Sequence, residues 1–172
     1  MNPRQYAFIL ACLFAWWGCD SPTTNTEDRR SAFALYWLAN PTIPASQVWS
    51  RSVDSLDLAP TPFLTEEDLT SYFWSTHTFT ARPGIDTLFD GMAHQTGRSG
   101  GVPFVVVASG SPVYVGSVWW AYSSLMPQGP YIMMPAQSPY HIQFDWPSDA
   151  FDVRFDKRIH DALESAGVLV EG

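Results

Sequence analysis

Histidine and serine side chains are the residues of this chain that could carry out acid–base or nucleophilic chemistry. No two of the four histidines have the close spacing that places metal ligands on one helix. They are His77, His94, His141 and His160. Ser123 and Ser124 follow a predicted strand, so one of them, His77 and an aspartate could form a nucleophile, base and acid. A phosphate-binding loop and a dinucleotide fingerprint are absent. We therefore predict no catalytic residue, no metal site and no cofactor, with a small envelope hydrolase as the alternative.

Aromatic residues near the end of a predicted hairpin indicate a binding surface. Trp119, Trp120 and Tyr122 precede two serines and the turn-forming segment Pro127 to Pro130. Large amphipathic rings beside hydrogen-bonding groups are common at recognition surfaces. Because neighbouring strand residues point to opposite faces, the two tryptophans cannot both line one surface of a regular strand. Alternatively, one faces the core and the other packs under the following loop. The predicted surface consists of Trp120, Tyr122, Ser123, Ser124 and Gln128.

A β-hairpin must position these side chains. Val102 to Ala108 and Pro112 to Trp120 are rich in β-branched and aromatic residues, and Ser109, Gly110 and Ser111 between them favour a turn. Both faces of the first strand are apolar, which predicts a strand inside a sheet with a layer on each side.

Shorter patterns predict the elements around the hairpin. Strands are predicted at 31–39, 55–58, 74–80, 131–134 and 140–146. Short helices are predicted from Thr65 to Tyr72, where three acidic residues follow a capping threonine, and from Ile85 to Ala93. An apolar stripe predicts an amphipathic C-terminal helix, Asp152 to Ala166. Its members are Phe155, Ile159, Ala162, Leu163 and Ala166. The fold class is α+β, with a mostly antiparallel sheet built around the hairpin.

Composition limits the class of protein further. The chain has 172 residues, 46% of them hydrophobic, which favours one globular domain over residues 31–172. Nine Lys+Arg against seventeen Asp+Glu give a net charge of -8. The basic surface that nucleic acid requires is missing, so we predict no nucleic-acid partner.

The first nineteen residues have the features of an export signal. Arg4 supplies the positive start, and Tyr6 to Trp17 is an uncharged apolar run shorter than the about 20 residues that span a bilayer. Between Ala15 and Pro22 no position offers the pair of small residues that an ordinary signal peptidase requires. The step from Gly18 to Cys19 remains, so residues 1–18 are predicted to be a signal peptide.

Gly18-Cys19 resembles the bacterial lipobox, although Trp16 stands where that family normally carries leucine. The resemblance implies a lipidated Cys19 at the start of a flexible polar tether, residues 19–30. Cys12 would be lost with the signal, which leaves no thiol for a disulfide or a metal. Alternatively, both cysteines are structural residues of an ordinary N-terminal strand.

Two stretches carry a further resemblance: FLTEEDLTSYFWSTH and PFVVVASGSPVYVGSVWWAYSS. They resemble uncharacterised small secreted or lipid-anchored bacterial proteins, and their order of elements is similar to the periplasmic head module of the SecD/SecF translocase family. The likeness covers about a third of the chain and does not include that family's transmembrane helices or its transport role. It implies a lipoprotein of the cell envelope that faces the periplasm or exterior. We predict a non-catalytic binding or assembly domain whose partners are the membrane, through the lipid anchor, and an envelope protein or glycan.

Overall fold

A nine-stranded mixed sheet dominates the computed structural model, which describes residues 31–89, 100–145 and 151–172. The strands are β1 Phe33–Trp37, β2 Leu64–Thr65, β3 Leu69–Phe73, β4 Thr78–Ala81, β5 Val102–Ala108, β6 Ser111–Trp120, β7 Tyr131–Met134, β8 Tyr140–Gln143 and β9 Leu169–Val170. Their order in the sheet is β2-β1-β5-β6-β7-β8-β4-β3-β9. The pairs β6–β7 and β3–β9 are parallel and the other pairs are antiparallel. The predicted α+β class is confirmed.

The predicted hairpin is strands β5 and β6. Its two turn residues, Ser109 and Gly110, have φ of 50° and 75°. Positive φ at both positions defines the tight turn whose twist matches that of paired strands, and glycine adopts it without steric cost. Phe104 and Val105 point to opposite faces of β5, and both are fully buried. The first strand of the hairpin is therefore an interior strand, as its two apolar faces predict.

Separate apolar clusters cover the two faces of the hairpin. Phe104 and Val106 belong to the larger cluster, which includes β3, β4 and the C-terminal helix. Val105 and Val107 pack on the other face against Leu38 and the connection between β1 and β2. That connection contains 3-10 turns at Ala45–Gln47 and Val53–Ser55. Of the predicted edge strand at 55–58, only an isolated bridge between Leu58 and Leu38 forms.

The predicted helix from Thr65 to Tyr72 is wrong. Thr65, the predicted cap, forms a capping box with Asp68, in which the Asp68 carboxylate accepts from the Thr65 N–H at 2.8 Å. The turn Glu66–Asp68 is followed at once by β3. The Glu66 carboxylate accepts from the backbone N–H groups of Ala32 and Phe33, at 2.9 and 3.1 Å. Glu66 therefore has a structural role, holding the start of β1 beside this turn.

The predicted strand from Trp74 to Thr80 is also wrong in its first half. Residues Trp74 to His77 form the turn between β3 and β4. His77 has a φ of 50°, which is incompatible with a strand. Ser75 and Thr76 are both exposed and His77 is buried, so burial does not alternate through this turn as it would along a strand.

The C-terminal helix is shorter than predicted. A 3-10 turn, Val153–Phe155, precedes Asp156, whose carboxylate accepts from the Arg158 N–H at 2.9 Å. Helix α2, Lys157–Ser165, begins after this cap and buries Ile159, Ala162 and Leu163. The two ends of the predicted stripe are not buried: Phe155 precedes the helix and is 43% exposed, and Ala166 follows the helix and is exposed.

The structure describes only some of the other predicted segments. Residues 85–89 form helix α1, while the rest of the predicted helix to Ala93 lies outside the described residues, as do the signal peptide, Cys19 and the tether. Strand β7 has its predicted bounds, whereas β8 ends at Gln143, before the predicted end at Trp146, which lies outside the described residues. Neither α1 nor α2, the helices of the described residues, is long and apolar enough to cross a membrane.

Candidate functional site

Residues 121–130 connect β6 to β7 and form the candidate contact loop. Tyr122, Leu125 and Met126 are 63%, 48% and 75% exposed. Ser124 and Gln128 are exposed as well, and Ser123 is half-buried. Large apolar side chains that are exposed side by side are uncommon unless they serve an interaction.

Two tryptophans hold this contact loop against the sheet. The Trp119 indole N–H donates to the Leu125 carbonyl at 3.2 Å. Trp49 stacks on Trp119 with 5.5 Å between ring centroids. A Cβ at Gly129 would lie 3.1 Å from the Trp49 indole nitrogen, so this tight approach favours glycine. A loop anchored at Leu125 and packed at Gly129 presents its exposed side chains at little cost in conformational entropy.

The prediction that Trp120 belongs to the contact surface is wrong, because that side chain is 4% exposed and lies in the larger core cluster. Trp119 points to the opposite face and is 2% exposed. The two tryptophans thus point to opposite faces, as strand alternation predicts, and both faces of β6 are covered at this point. Trp119 packs under the following loop, as the alternative interpretation predicted. Tyr122, Ser123, Ser124 and Gln128 do lie in the contact loop.

Leu125 and Met126 are the members of the contact loop that sequence reasoning missed. A signal for them was present, because Ser99 to Phe144 contains no Asp, Glu, Lys or Arg in a chain of net charge -8. The contact loop lies within this uncharged stretch. A partner that meets the loop therefore desolvates no charged group of the loop itself, which lowers the cost of association.

His77, the candidate base of the alternative hydrolase, is buried and held among aromatic rings. It is 1% exposed. Its Nδ1 lies 3.1 Å from the Tyr72 hydroxyl. The Phe155 and Trp74 ring centroids lie 4.3 and 5.5 Å from that of the imidazole. Nε2 has no hydrogen-bond partner among the residues that the structure describes.

The surroundings of His77 favour its neutral form. Burial lowers the pKa of His77 to about 4, and the positive charge of Arg154 acts in the same direction. Asp152 opposes this shift, but its carboxylate is paired with Arg154 at 2.6 Å. Within the described chain, neither ring nitrogen of His77 bonds to Ser123 or Ser124. The described residues therefore contain no serine–histidine pair of the kind that the alternative requires.

The sequence contains a second serine motif. Residues 97–101 read GRSGG and match the letters of the nucleophile elbow, G-x-S-x-G. Ser99 lies outside the described residues. In the elbow, the serine follows a strand and opens a helix, whereas here Gly101 leads directly into β5. The order of elements on the C-terminal side of this motif thus differs from that of an elbow.

His160, Asp161 and Glu164 on α2 are a group of potential metal ligands that lie within 4.8 Å of one another. His160 Nε2 is 2.7 Å from Glu171, and Lys157 binds the Asp161 carboxylate at 2.6 Å. Lys157 lowers the pKa of Asp161. Two of the three residues, His160 and Asp161, are thus engaged in contacts with other side chains at the surface.

No family model, curated protein or solved structure matches this chain.

Proposed function

We propose that this chain is a non-catalytic binding domain of the bacterial cell envelope, lipid-anchored at Cys19, with residues 121–130 as its contact surface. The observation that carries the proposal is the exposure of Tyr122, Leu125 and Met126 on a loop that is anchored and uncharged. Its partner is an envelope macromolecule of predominantly neutral surface.

The position of the contact loop favours a partner other than the anchoring membrane. β1 begins beside the turn of the hairpin, where the Ser109 N–H donates to the Ala32 carbonyl at 2.7 Å. The contact loop follows the far end of β6, a strand of ten residues. Such a strand is about 33 Å long, at roughly 3.3 Å per residue. A tether that enters at residue 31 thus reaches one end of the hairpin, and the contact loop lies at the other.

The chemistry of the contact loop favours a protein over a glycan. Glycan sites present aromatic faces among hydrogen-bonding groups, whereas Leu125 and Met126 are aliphatic. The side chains of Tyr122, Leu125 and Met126 offer only a few hundred Å² of contact area, roughly, whereas stable interfaces bury about 1,200–2,000 Å² of surface in total. We therefore expect a weak contact that gains from confinement of both partners to one envelope.

Photo-cross-linking in the producing bacterium tests the contact loop. A photoreactive amino acid replaces Met126 in one strain and Phe151 in the control strain, and both of these native side chains are 75% exposed. We expect a discrete protein adduct from position 126 that is absent from position 151 and disappears in a Tyr122→Ser, Leu125→Ser background. The same adducts from both positions, or none from position 126, would contradict the proposal. Co-sedimentation with envelope polysaccharide that depends on Tyr122 would favour the glycan instead.

Lipid attachment is tested separately. We expect labelled fatty acid to enter the wild-type protein and the Cys12→Ala control, and a Cys19→Ala variant to accumulate as an unlabelled precursor. Normal processing of Cys19→Ala would refute the anchor and leave the contact loop untouched.

A further inference from the structure

A groove of about 260 Å³ lies between the two segments that follow β1. Its walls are held together by the bridge between Leu38 and Leu58 and by the hydrogen bond from the Ala39 N–H to the Asp57 carbonyl, at 2.8 Å. The groove is separate from residues 121–130 in its lining. Sites for drug-sized ligands usually measure about 300–1,000 Å³, so this groove suits a smaller molecule.

Aliphatic side chains line one part of the groove. Leu38 is buried, and Ile43 and Leu56 are partly buried against the same cluster. This cluster includes Val105 and Val107 of β5, which connects the groove to the rigid centre of the sheet. The apolar part of the groove is therefore preformed and matches a branched or linear hydrocarbon group.

Opposite charges line the same groove without neutralising each other. Arg51 and Asp57 both contribute to the lining, yet neither forms an ion pair with the other or with any other residue that the structure describes. By contrast, Arg154, Lys157 and Arg158 each bind a nearby carboxylate. Two unpaired opposite charges beside an apolar floor are complementary to a zwitterion that carries a hydrocarbon side chain.

Asn40 adds a hydrogen-bond donor to the lining of the groove. Its Oδ1 accepts from both the backbone N–H and the hydroxyl of Thr42, at 3.0 and 2.7 Å. These two donors fix which end of the amide is oxygen, so the NH₂ group is left without an acceptor among the described residues. An amide NH₂ and a guanidinium together are suited to bind a carboxylate.

We propose that this groove binds a free α-amino acid with an aliphatic side chain. The α-carboxylate pairs with Arg51 and Asn40, the α-ammonium pairs with Asp57, and the side chain lies on Leu38, Ile43 and Leu56. The inference does not depend on the envelope-binding function, because no residue of the groove belongs to the contact loop.

Calorimetric titration of the purified full-length protein with L-leucine tests the proposal. We expect saturable binding that weakens about tenfold in Arg51→Gln and in Asp57→Asn, as loss of a charge-assisted hydrogen bond predicts. Arg82→Gln, an exposed arginine outside the groove lining, is the matched control and should bind leucine as the wild type does. Met126→Ser should also bind normally, which separates this site from the contact loop.

Leucine derivatives test whether the groove binds both the carboxylate and the ammonium group of the ligand. Leucinamide lacks the carboxylate and N-acetylleucine lacks the ammonium group, so we expect each to bind about tenfold more weakly than leucine. Glycine, which lacks the hydrocarbon group, should bind weakest. The absence of saturable leucine binding, an unchanged affinity in Arg51→Gln, or equal affinity for leucinamide and leucine would each overturn the proposal.

Discussion

Protonation of His77 should destabilise the fold at acidic pH. The buried imidazole has a pKa of about 4, against 6.5 for an ordinary histidine. Because the folded-state pKa is depressed, the unfolded state binds the proton more readily than the folded state does. The free energy of unfolding is therefore highest above the unfolded-state pKa and decreases as the pH falls toward the folded-state pKa. A fall in the His77 pKa from 6.5 to about 4 on folding lowers the free energy of unfolding by roughly 3 kcal/mol below pH 4 and by about 2 kcal/mol at pH 5.

A His77→Asn variant isolates this effect. Asparagine tolerates the positive φ of this turn position and does not titrate, so other ionisable groups cancel in the comparison. Urea unfolding of both proteins, followed by tryptophan fluorescence from about pH 8 to about pH 4, measures the difference in unfolding free energy. Relative to the variant, the wild type should lose about 2 kcal/mol between pH 8 and pH 5. A difference that stays constant over this range would show that His77 is not held neutral by burial and by Arg154.

Three further changes test other parts of the structure. Phe155→Ala uncovers the His77 ring, so the pKa of His77 should rise toward 6.5 in an NMR titration; an unchanged value would mean that the Phe155 ring does not shield it. Gly101→Ala places a Cβ in overlap with the Trp119 ring at a φ of 70° and should lower the unfolding free energy by about 3 kcal/mol. Its control is Gly84→Ala, which is also at positive φ but has open space around its Cβ, and this variant should lower the unfolding free energy by only about 1 kcal/mol. Glu66→Gln weakens the bonds to the start of β1 and should cost about 1 kcal/mol in denaturant unfolding, with the exposed Glu67→Gln as the neutral control.

Local sequence determined the hairpin and the buried part of α2. Strand-forming residues on both sides of Ser109-Gly110 specify a tight turn, and nearly all the contacts that this requires lie within twenty residues of chain. Ile159, Ala162 and Leu163 share one face of a helix whatever they pack against. Thr65 could likewise be recognised as a cap from its neighbours in the chain, although the helix that it was expected to start did not form.

Tertiary structure decided which of the candidate residues are exposed. Trp120 and Tyr122 have similar chemistry in the sequence, but the larger core covers the first and leaves the second in solvent. The alternation of Trp74 to Thr80 predicted a strand, and only the pairing of β3 with β4 places His77 in a buried turn. Burial depends on neighbours that are distant in the chain, which a local pattern does not contain.

The groove is formed by tertiary structure and could not be predicted from local sequence. Leu38, Arg51 and Asp57 carry no common motif, and nothing in their spacing places two unpaired charges beside an apolar surface. The uncharged stretch from Ser99 to Phe144 was readable from the sequence, whereas the exposure of Leu125 and Met126 within it was not. Residue types determine which interactions are available, and the long-range pairing of strands decides which of them are satisfied inside the fold and which remain available to a ligand or partner.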